Sequence, residues 1–140
     1  MKLNSTEINP TFVSIGLLLL LVFAGFSMMT HGYPKLQKLL ADGEADFMSF
    51  MGLSPDISLA LAVFAEFVCS ILIVLGLFTR VAVVPLLITM LTAATFVHSG
   101  DLYSKKELAL AYFFIYVMLL IAGSGRFSVD AMTERRRSDW

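Results

Sequence analysis

The sequence is poor in charged residues and in cysteine, and each shortage excludes classes of protein. Asp, Glu, Lys and Arg make up 15% of the 140 residues, whereas apolar residues make up 58%. A soluble domain of this length cannot bury so much apolar surface, so lipid must act as part of its solvent. The net charge of −1 provides no basic field for phosphates, so no nucleic-acid partner is expected.

Cys69 is the only cysteine of the chain. A single chain therefore cannot form an internal disulfide, a Cys-x-x-Cys redox pair or a cysteine-based zinc site. The sequence also lacks a Gly-rich phosphate loop, a dinucleotide-binding fingerprint and a His-Glu-x-x-His motif. We expect no metal site.

Long uncharged runs predict four transmembrane helices in one domain that covers residues 1–140. The predicted spans are 10–30, 56–78, 81–99 and 106–123, each close to the roughly 20 residues that a helix needs to cross the hydrocarbon core. The first run is not followed by an Ala-x-Ala cleavage site, so it is expected to be a retained helix. The predicted fold is all-α, an integral membrane four-helix bundle.

The segment from Gly32 to Leu53 carries too many charges to cross the membrane. Its apolar residues form two groups at helical spacing, namely Leu36, Leu39 and Leu40, and Phe47, Phe50 and Met51. This pattern predicts short amphipathic helices in the loop between the first two spans, on the membrane face or over the mouth of the bundle.

Three local patterns predict helix ends. Ser54-Pro55-Asp56 is typical of the start of the second helix, with an N-cap, a proline in the first turn and an acidic residue. Ser104 and Glu107 have the spacing of a capping box for the fourth helix. Gly123 suits the end of that helix.

Lysines and arginines near the helix ends predict the orientation. With four spans, both termini and the turn between the second and third helices share one side. That side carries the basic residues Lys2, Arg80, Arg126, Arg135, Arg136 and Arg137. On the opposite side, lysines are diluted by acids: Lys35, Lys38, Lys105 and Lys106 against Asp42, Glu44, Asp46, Asp56, Asp101 and Glu107. Both termini are therefore predicted to be cytoplasmic.

Glu66 is a carboxylic acid within the second predicted span, about 13–14 Å along the helix from Ile57. A carboxylate at that depth is expected to face the bundle interior, either paired or protonated. Ala62, Cys69 and Ser70 share its helical face, so another helix or a ligand can approach closely there. We predict that Glu66 handles protons or binds a polar headgroup. The alternative is a protonated glutamate that only ties helices together.

Other polar residues are predicted at the same outer half of the membrane. His31 ends the first helix, His98 ends the third, Glu107 begins the fourth, and Lys35 reaches in from the loop. With Glu66 they are predicted to line a polar pocket, in which Glu66 and His98 are catalytic and His31, Lys35 and Glu107 bind the ligand. The alternatives are interfacial histidines and a glutamate that caps its helix.

Two histidines at one depth also suggest a haem or metal site, but the spacing lacks the Glu-x-x-His pattern of di-iron bundles, so haem is disfavoured. Arg80 lies roughly 21 Å beyond Glu66 along a straight helix, too far to pair with it. Arg80 and Asp130 are therefore predicted to serve structure and topology, with Asp130 or Glu134 meeting Arg80.

Several short pieces follow one another in a characteristic order. They are His31 to Leu36, then Glu66 with Leu75 to Arg80, then His98, then Glu107 to Leu110, and finally Gly123 to Asp130. Together they resemble the DoxX family of small bacterial membrane proteins over nearly the whole chain. The start of the first helix departs from that family, because the uncharged run from Thr11 to Gly16 stands where a basic residue is often found. The family's polar positions fall on Lys35, Glu66, Arg80, His98 and Glu107.

The resemblance implies a four-helix protein of the bacterial inner membrane, associated with quinone-coupled redox systems that include a thiosulfate:quinone oxidoreductase. This association makes quinone the candidate cofactor. The expected partners are the lipid bilayer and either a membrane or peripheral protein or a second copy of the chain. Whether the chain itself is an enzyme stays open. Two other functions are considered: a non-catalytic accessory or anchor subunit of a larger complex, and a carrier for a small lipophilic or acidic molecule.

Overall fold

The computed structural model describes residues 8–41, 43 and 45–138, and this part of the chain contains helices but no strand. Lys2, Asp42 and Glu44, used above to predict orientation, lie outside the described residues, as do the side chains of Lys105 and Arg137. The helices are α1 (Pro10–Leu40), α2 (Pro55–Leu75), α3 (Thr79–Val97), α4 (Tyr103–Ala122) and α5 (Val129–Ser138).

The helices pack as a bundle, which confirms the predicted fold class. Helices α1, α2 and α3 are each long and apolar enough to cross a membrane, and α4 is uncharged from Leu108 to its end. Helix α1 packs along α2, α3 packs along α4, and α1 also touches α4. The fully buried core between them includes Leu21, Ile73, Leu86 and Tyr116.

Large apolar side chains also cover the outside of the bundle. Phe23, Phe96 and Phe114 are 60%, 68% and 66% exposed, respectively, and they lie on three different helices. Such a continuous apolar exterior is unfavourable in water and is the expected surface of a helical bundle in lipid.

The structure contains two of the three predicted helix-end patterns of α2 and α4. Ser54 caps α2 as predicted, accepting a hydrogen bond from the Ile57 amide at 3.4 Å, with Pro55 in the first turn. The capping box predicted for Ser104 and Glu107 is wrong. Helix α4 begins at Tyr103, two residues before the start that a Ser104 N-cap requires. Its N-cap residue, Leu102, makes no side-chain hydrogen bond, and Ser104 is already helical. Gly123 ends α4 with a φ of 75°, as its position suggested.

The short amphipathic helices predicted in the loop between α1 and α2 are wrong. The leucines of the first group belong to α1, which continues without a break to Leu40 and is 31 residues long, about 46 Å. Residues 45–54 form no helix. They are tied down by polar contacts instead: Lys38 donates to the Asp46 carbonyl at 3.1 Å, and the Phe50 amide donates to Ser58 Oγ at 2.9 Å. The loop therefore covers one end of the bundle, as predicted, but without helical structure.

Two helices contain a π-helical turn near this covered end. In α2 it spans Phe64–Cys69 and contains Glu66, and in α3 it spans Ala93–Val97 and is followed directly by His98. The π-helical turn is rare and is found mostly at functional sites, where the wider turn redirects side chains.

Two glycines let α1 lie very close to α2. A Cβ atom added at Gly32 would lie 2.8 Å from the Glu66 carbonyl carbon, and one at Gly25 would lie 2.9 Å from the Ser70 carbonyl oxygen. Only glycine permits backbones to approach this closely, as at other tightly packed membrane helices. The face of α2 that carries Glu66 and Ser70 is therefore a close helix contact, as its small residues predicted.

Candidate functional site

Glu66 forms an ion pair with Lys35 inside the bundle. The Lys35 Nζ atom lies 2.5 Å from Glu66 Oε1. The Glu66 side chain is only 4% exposed, whereas that of Lys35 is 31% exposed. Because Gly32 brings α1 against the Glu66 backbone, Lys35, almost one turn further along α1, can reach the carboxylate. Of the two states expected for an acid at this depth, the geometry shows the paired one.

The second oxygen of the carboxylate, Glu66 Oε2, has a different environment. It is buried and accepts no hydrogen bond from the residues that the structure describes. Leaving a buried acceptor without a partner costs about 1–3 kcal/mol, and more for a charged group. Oε2 is therefore an atom to which a proton or a hydrogen-bond donor of a ligand would bind favourably.

A cavity of about 530 Å³ lies beside this ion pair, in the size range of small-molecule sites. We call it the polar chamber. Its ionisable lining residues come from α1, the covering loop, α2, the end of α3 and α4: His31, Lys35, Asp46, Glu66, His98 and Tyr112. The rest of the lining is largely apolar, with Met28, Met90 and Val97 among it. The chamber thus offers a few polar groups within apolar walls.

His98 is oriented by a carboxylate that the sequence analysis did not single out. Its Nδ1 atom lies 2.7 Å from Asp101 Oδ2, and both side chains are about one third exposed. An ionised Asp101 places the ring proton on Nδ1 and leaves Nε2 as the proton-accepting nitrogen. The pair therefore has the arrangement of an oriented base at the edge of the chamber.

His31 makes an aromatic packing contact. Its exposed ring lies edge-on to Tyr112, with ring centroids 6.5 Å apart. Tyr112 in turn stacks on Tyr116, whose hydroxyl donates to the Ala24 carbonyl at 3.4 Å. Of these three rings, those of His31 and Tyr112 line the chamber.

The loop also contributes to the chamber. The Phe47 ring centroid lies 6.0 Å from Lys35 Nζ, a cation–π distance. Phe47 is predicted only as an apolar loop residue, and neither the His98–Asp101 contact nor the close approach at Gly32 is predicted from the sequence. The sequence contains two related features: Asp101 follows His98 by three residues, and Gly32 lies seven residues after Gly25, on one face of α1.

The remaining predicted site residues lie elsewhere. Glu107 is exposed on α4, just past its first turn, and does not line the chamber. Arg80 and Asp130 lie at the opposite end of the bundle, where they line a second cavity of about 700 Å³. Arg80 donates to the Ile121 carbonyl at 3.4 Å, and among the described residues no ion pair joins it to Asp130 or Glu134.

Asp130 has a structural role instead. Its two carboxylate oxygens accept hydrogen bonds from the Phe78 and Thr79 amides, at 2.8 and 3.0 Å, and so cap the start of α3. The Asp130 amide donates to the Gly76 carbonyl at 3.0 Å. Residues 75–80 and 123–130, two of the pieces noted in the sequence, therefore meet in space. We call this region the capped end.

A comparison with protein families supports one assignment. The DoxX family model matches residues 16–99, which is more than half of the chain. The match includes Lys35, Glu66, Arg80 and His98 and ends before Glu107 and Asp130. No curated protein and no solved structure matches the chain significantly. With its apolar helices and exterior, the chain is therefore a membrane protein that belongs to the DoxX family.

Proposed function

We propose that this protein binds the headgroup of a quinol in the polar chamber and accepts its protons as part of a quinone-linked redox reaction. The observation that carries the proposal is the buried oxygen Glu66 Oε2, which has no hydrogen-bond partner among the described residues and lies beside a cavity of about 530 Å³. A quinol hydroxyl is a hydrogen-bond donor and would satisfy this oxygen. A fully polar substrate would fit poorly among the apolar walls of the chamber.

Lys35 supports the same ligand from the other side. One of its N–H groups is directed to Glu66, which leaves two donors for an oxygen atom of the ligand. Such an oxygen is present in the reduced headgroup as a hydroxyl and in the oxidised headgroup as a carbonyl. Lys35 therefore binds both states, whereas Glu66 Oε2 favours the reduced one.

Oxidation of a quinol to a quinone breaks both O–H bonds and releases an electron pair. In the proposed reaction Glu66 takes one proton at Oε2 and His98 takes the other at Nε2, as general bases. The electrons pass to an electron-accepting partner protein in the same membrane, because a chain with a single cysteine has no dithiol of its own to receive them. The protein then acts as the quinol-binding subunit of an oxidoreductase.

The proposal includes a location in the bacterial inner membrane with both termini in the cytoplasm. Gly125 approaches Leu17, so the start of α1 lies at the same end as the capped end. Arg80, Arg126 and Arg135 line the cavity at that end, which supports its cytoplasmic placement by the positive-inside rule. The polar chamber would then open towards the outer leaflet. Thiol labelling of single cysteines at Ser49 and at Thr133 in intact cells tests this, with labelling at Ser49 only as the expected result.

The substitution Glu66→Gln tests the proposed reaction, because it keeps the shape of the side chain and removes the base. We expect quinol-dependent electron transfer in native membranes to fall by about 10²–10⁴-fold, the usual contribution of a general base. The matched control is Glu134→Gln, an exposed glutamate of α5 at the opposite end of the bundle. Full turnover in Glu66→Gln membranes would contradict the proposal.

An accessory subunit is the second candidate, and the Lys35–Glu66 pair favours it in one respect, since the pair also ties α1 to α2. This function predicts that Glu66→Gln lowers thermal stability and leaves both quinol binding and turnover of the larger complex unchanged. Measuring binding and melting temperature on the same purified sample therefore separates the two candidates.

A further inference from the structure

A third cavity opens from the Lys35–Glu66 pair towards the outside of the bundle. It lies between α2 and α3, has a volume of about 350 Å³, and we call it the lateral groove. We propose that the lateral groove holds the apolar tail of the quinol whose headgroup lies in the polar chamber, so that the ligand enters sideways from the lipid. This inference rests on the proposed function.

The lateral groove is continuous with the polar chamber. Both cavities are lined by the same six residues: Lys35, Phe47, Met48, Glu66, Ala93 and Val97. The ion pair therefore lies where the two cavities meet. A ligand with its head in the chamber can extend past Glu66 into the groove without crossing another helix.

The outer side of the groove faces lipid. Leu61, Phe64 and Ile88 line it and are 48%, 49% and 52% exposed, respectively. All three lie within the helices that are long and apolar enough to cross a membrane. In a bilayer these side chains contact acyl chains, so the groove opens to hydrocarbon rather than to water.

The hydroxyl groups along the groove are satisfied within the protein. Thr89 donates to the Pro85 carbonyl at 2.9 Å, and Thr92 donates to the Ile88 carbonyl at 2.8 Å. Ser58 donates to Ser54 and accepts from the Phe50 amide, both at 2.9 Å. Because these hydroxyl groups already have hydrogen-bond partners, an apolar chain can lie against them without leaving a polar group unsatisfied. The buried acceptor without a partner among the described residues, Glu66 Oε2, lies at the inner end of the groove.

The occupant must therefore be a molecule with one polar head and an apolar tail, which a long-chain quinol is. The acyl chain of a phospholipid is the competing occupant. The phosphate of that lipid would approach the Glu66 carboxylate. Phosphate and carboxylate are both negatively charged acceptors, so the phosphate would give Oε2 no hydrogen-bond donor. A quinol hydroxyl meets Oε2 as a donor. The geometry thus favours the quinol tail.

The test compares two quinols that share one headgroup, one with a decyl tail and one without a tail, binding to the purified full-length protein in nanodiscs. Ala62→Phe narrows the groove, since Ala62 lines the groove and not the chamber. We expect it to weaken binding of the decyl quinol by at least about tenfold and to leave binding of the tail-less quinol unchanged. Ala60→Phe is the matched control, because Ala60 is exposed on the same helix and lines neither cavity.

The outcomes separate this inference from the proposed function. If the wild type binds both quinols equally well and binding depends on Glu66, headgroup binding in the polar chamber is supported and the groove proposal is overturned. If the wild type binds neither quinol, the proposed function fails. Should Ala62→Phe not fold, a decyl quinol with a diazirine at its tail end replaces it: labelling of Leu61, Phe64 or Ile88 supports the groove. Labelling elsewhere, or competition by an anionic phospholipid, overturns it.

Discussion

The two ends of the bundle use a carboxylate in opposite ways. At the capped end, both oxygens of Asp130 accept backbone amides of α3. At the chamber end, one oxygen of Glu66 binds Lys35, while the other is buried without a partner among the described residues. A carboxylate that holds a helix start has its hydrogen bonds filled by the fold. A carboxylate with one oxygen unpaired next to a cavity can accept a hydrogen bond from a ligand. For this reason we assign the functional role to Glu66 rather than to Asp130.

The largest loss of stability is expected from Lys35→Met at the chamber end. It leaves the Glu66 charge buried without its counter-ion, which costs about 3 kcal/mol, at the low end for buried pairs because Lys35 is partly exposed. The double variant Lys35→Met/Glu66→Gln should recover most of the loss, since no charge is then buried. Unfolding followed in detergent measures both. Equal destabilisation by the single and double variants would mean that the ion pair is not the source of the effect.

A smaller loss is expected from Gly32→Ala, which acts on the chamber through the backbone. The new methyl group would lie 2.8 Å from the Glu66 carbonyl carbon, so α1 and α2 must separate, at a cost of about 2 kcal/mol. Gly16→Ala on the same helix is the control, because nothing lies within 4 Å of its added methyl group. The control should be neutral or slightly stabilising, since alanine favours helices. Equal melting temperatures for the two variants would show that the close helix contact is not required.

The smallest of these losses is expected from Asp130→Ala at the capped end. The variant removes a side chain that caps α3, which typically costs about 1 kcal/mol. Because this end is distant from the chamber, quinol binding should be unchanged once the protein is folded. Thermal melting and binding on the same sample check both statements. A loss of quinol binding without a loss of stability would contradict the purely structural role of Asp130.

The features that the sequence predicted depend on single residues or on uniform runs. Uncharged runs predict helices in lipid directly, and Glu66 stands out because an acid within such a run is costly. The Ser54 cap is local as well, so it could be read without the fold. That Glu66 and His98 accept protons from a ligand stays a prediction.

The features that sequence reasoning missed have residue patterns that are compatible with more than one structure. The helical spacing of Leu36 and Leu39 does not reveal whether they begin a new helix or continue α1, because both give the same periodicity. The same ambiguity affected the start of α4, where several capping positions are compatible with the residues present. Neither the π-helical turns nor the meeting of Asp101 with His98 leaves an unambiguous local pattern, so only the structure reveals them.

The most direct test of the account measures binding of a tail-less quinol to the wild type, to Glu66→Gln and to Asp130→Asn, each in nanodiscs at the same protein concentration. The account predicts that the wild type and Asp130→Asn bind equally and that Glu66→Gln binds at least about tenfold more weakly. Equal binding by all three proteins, or binding by none, would contradict the claim that Glu66 completes a quinol headgroup site.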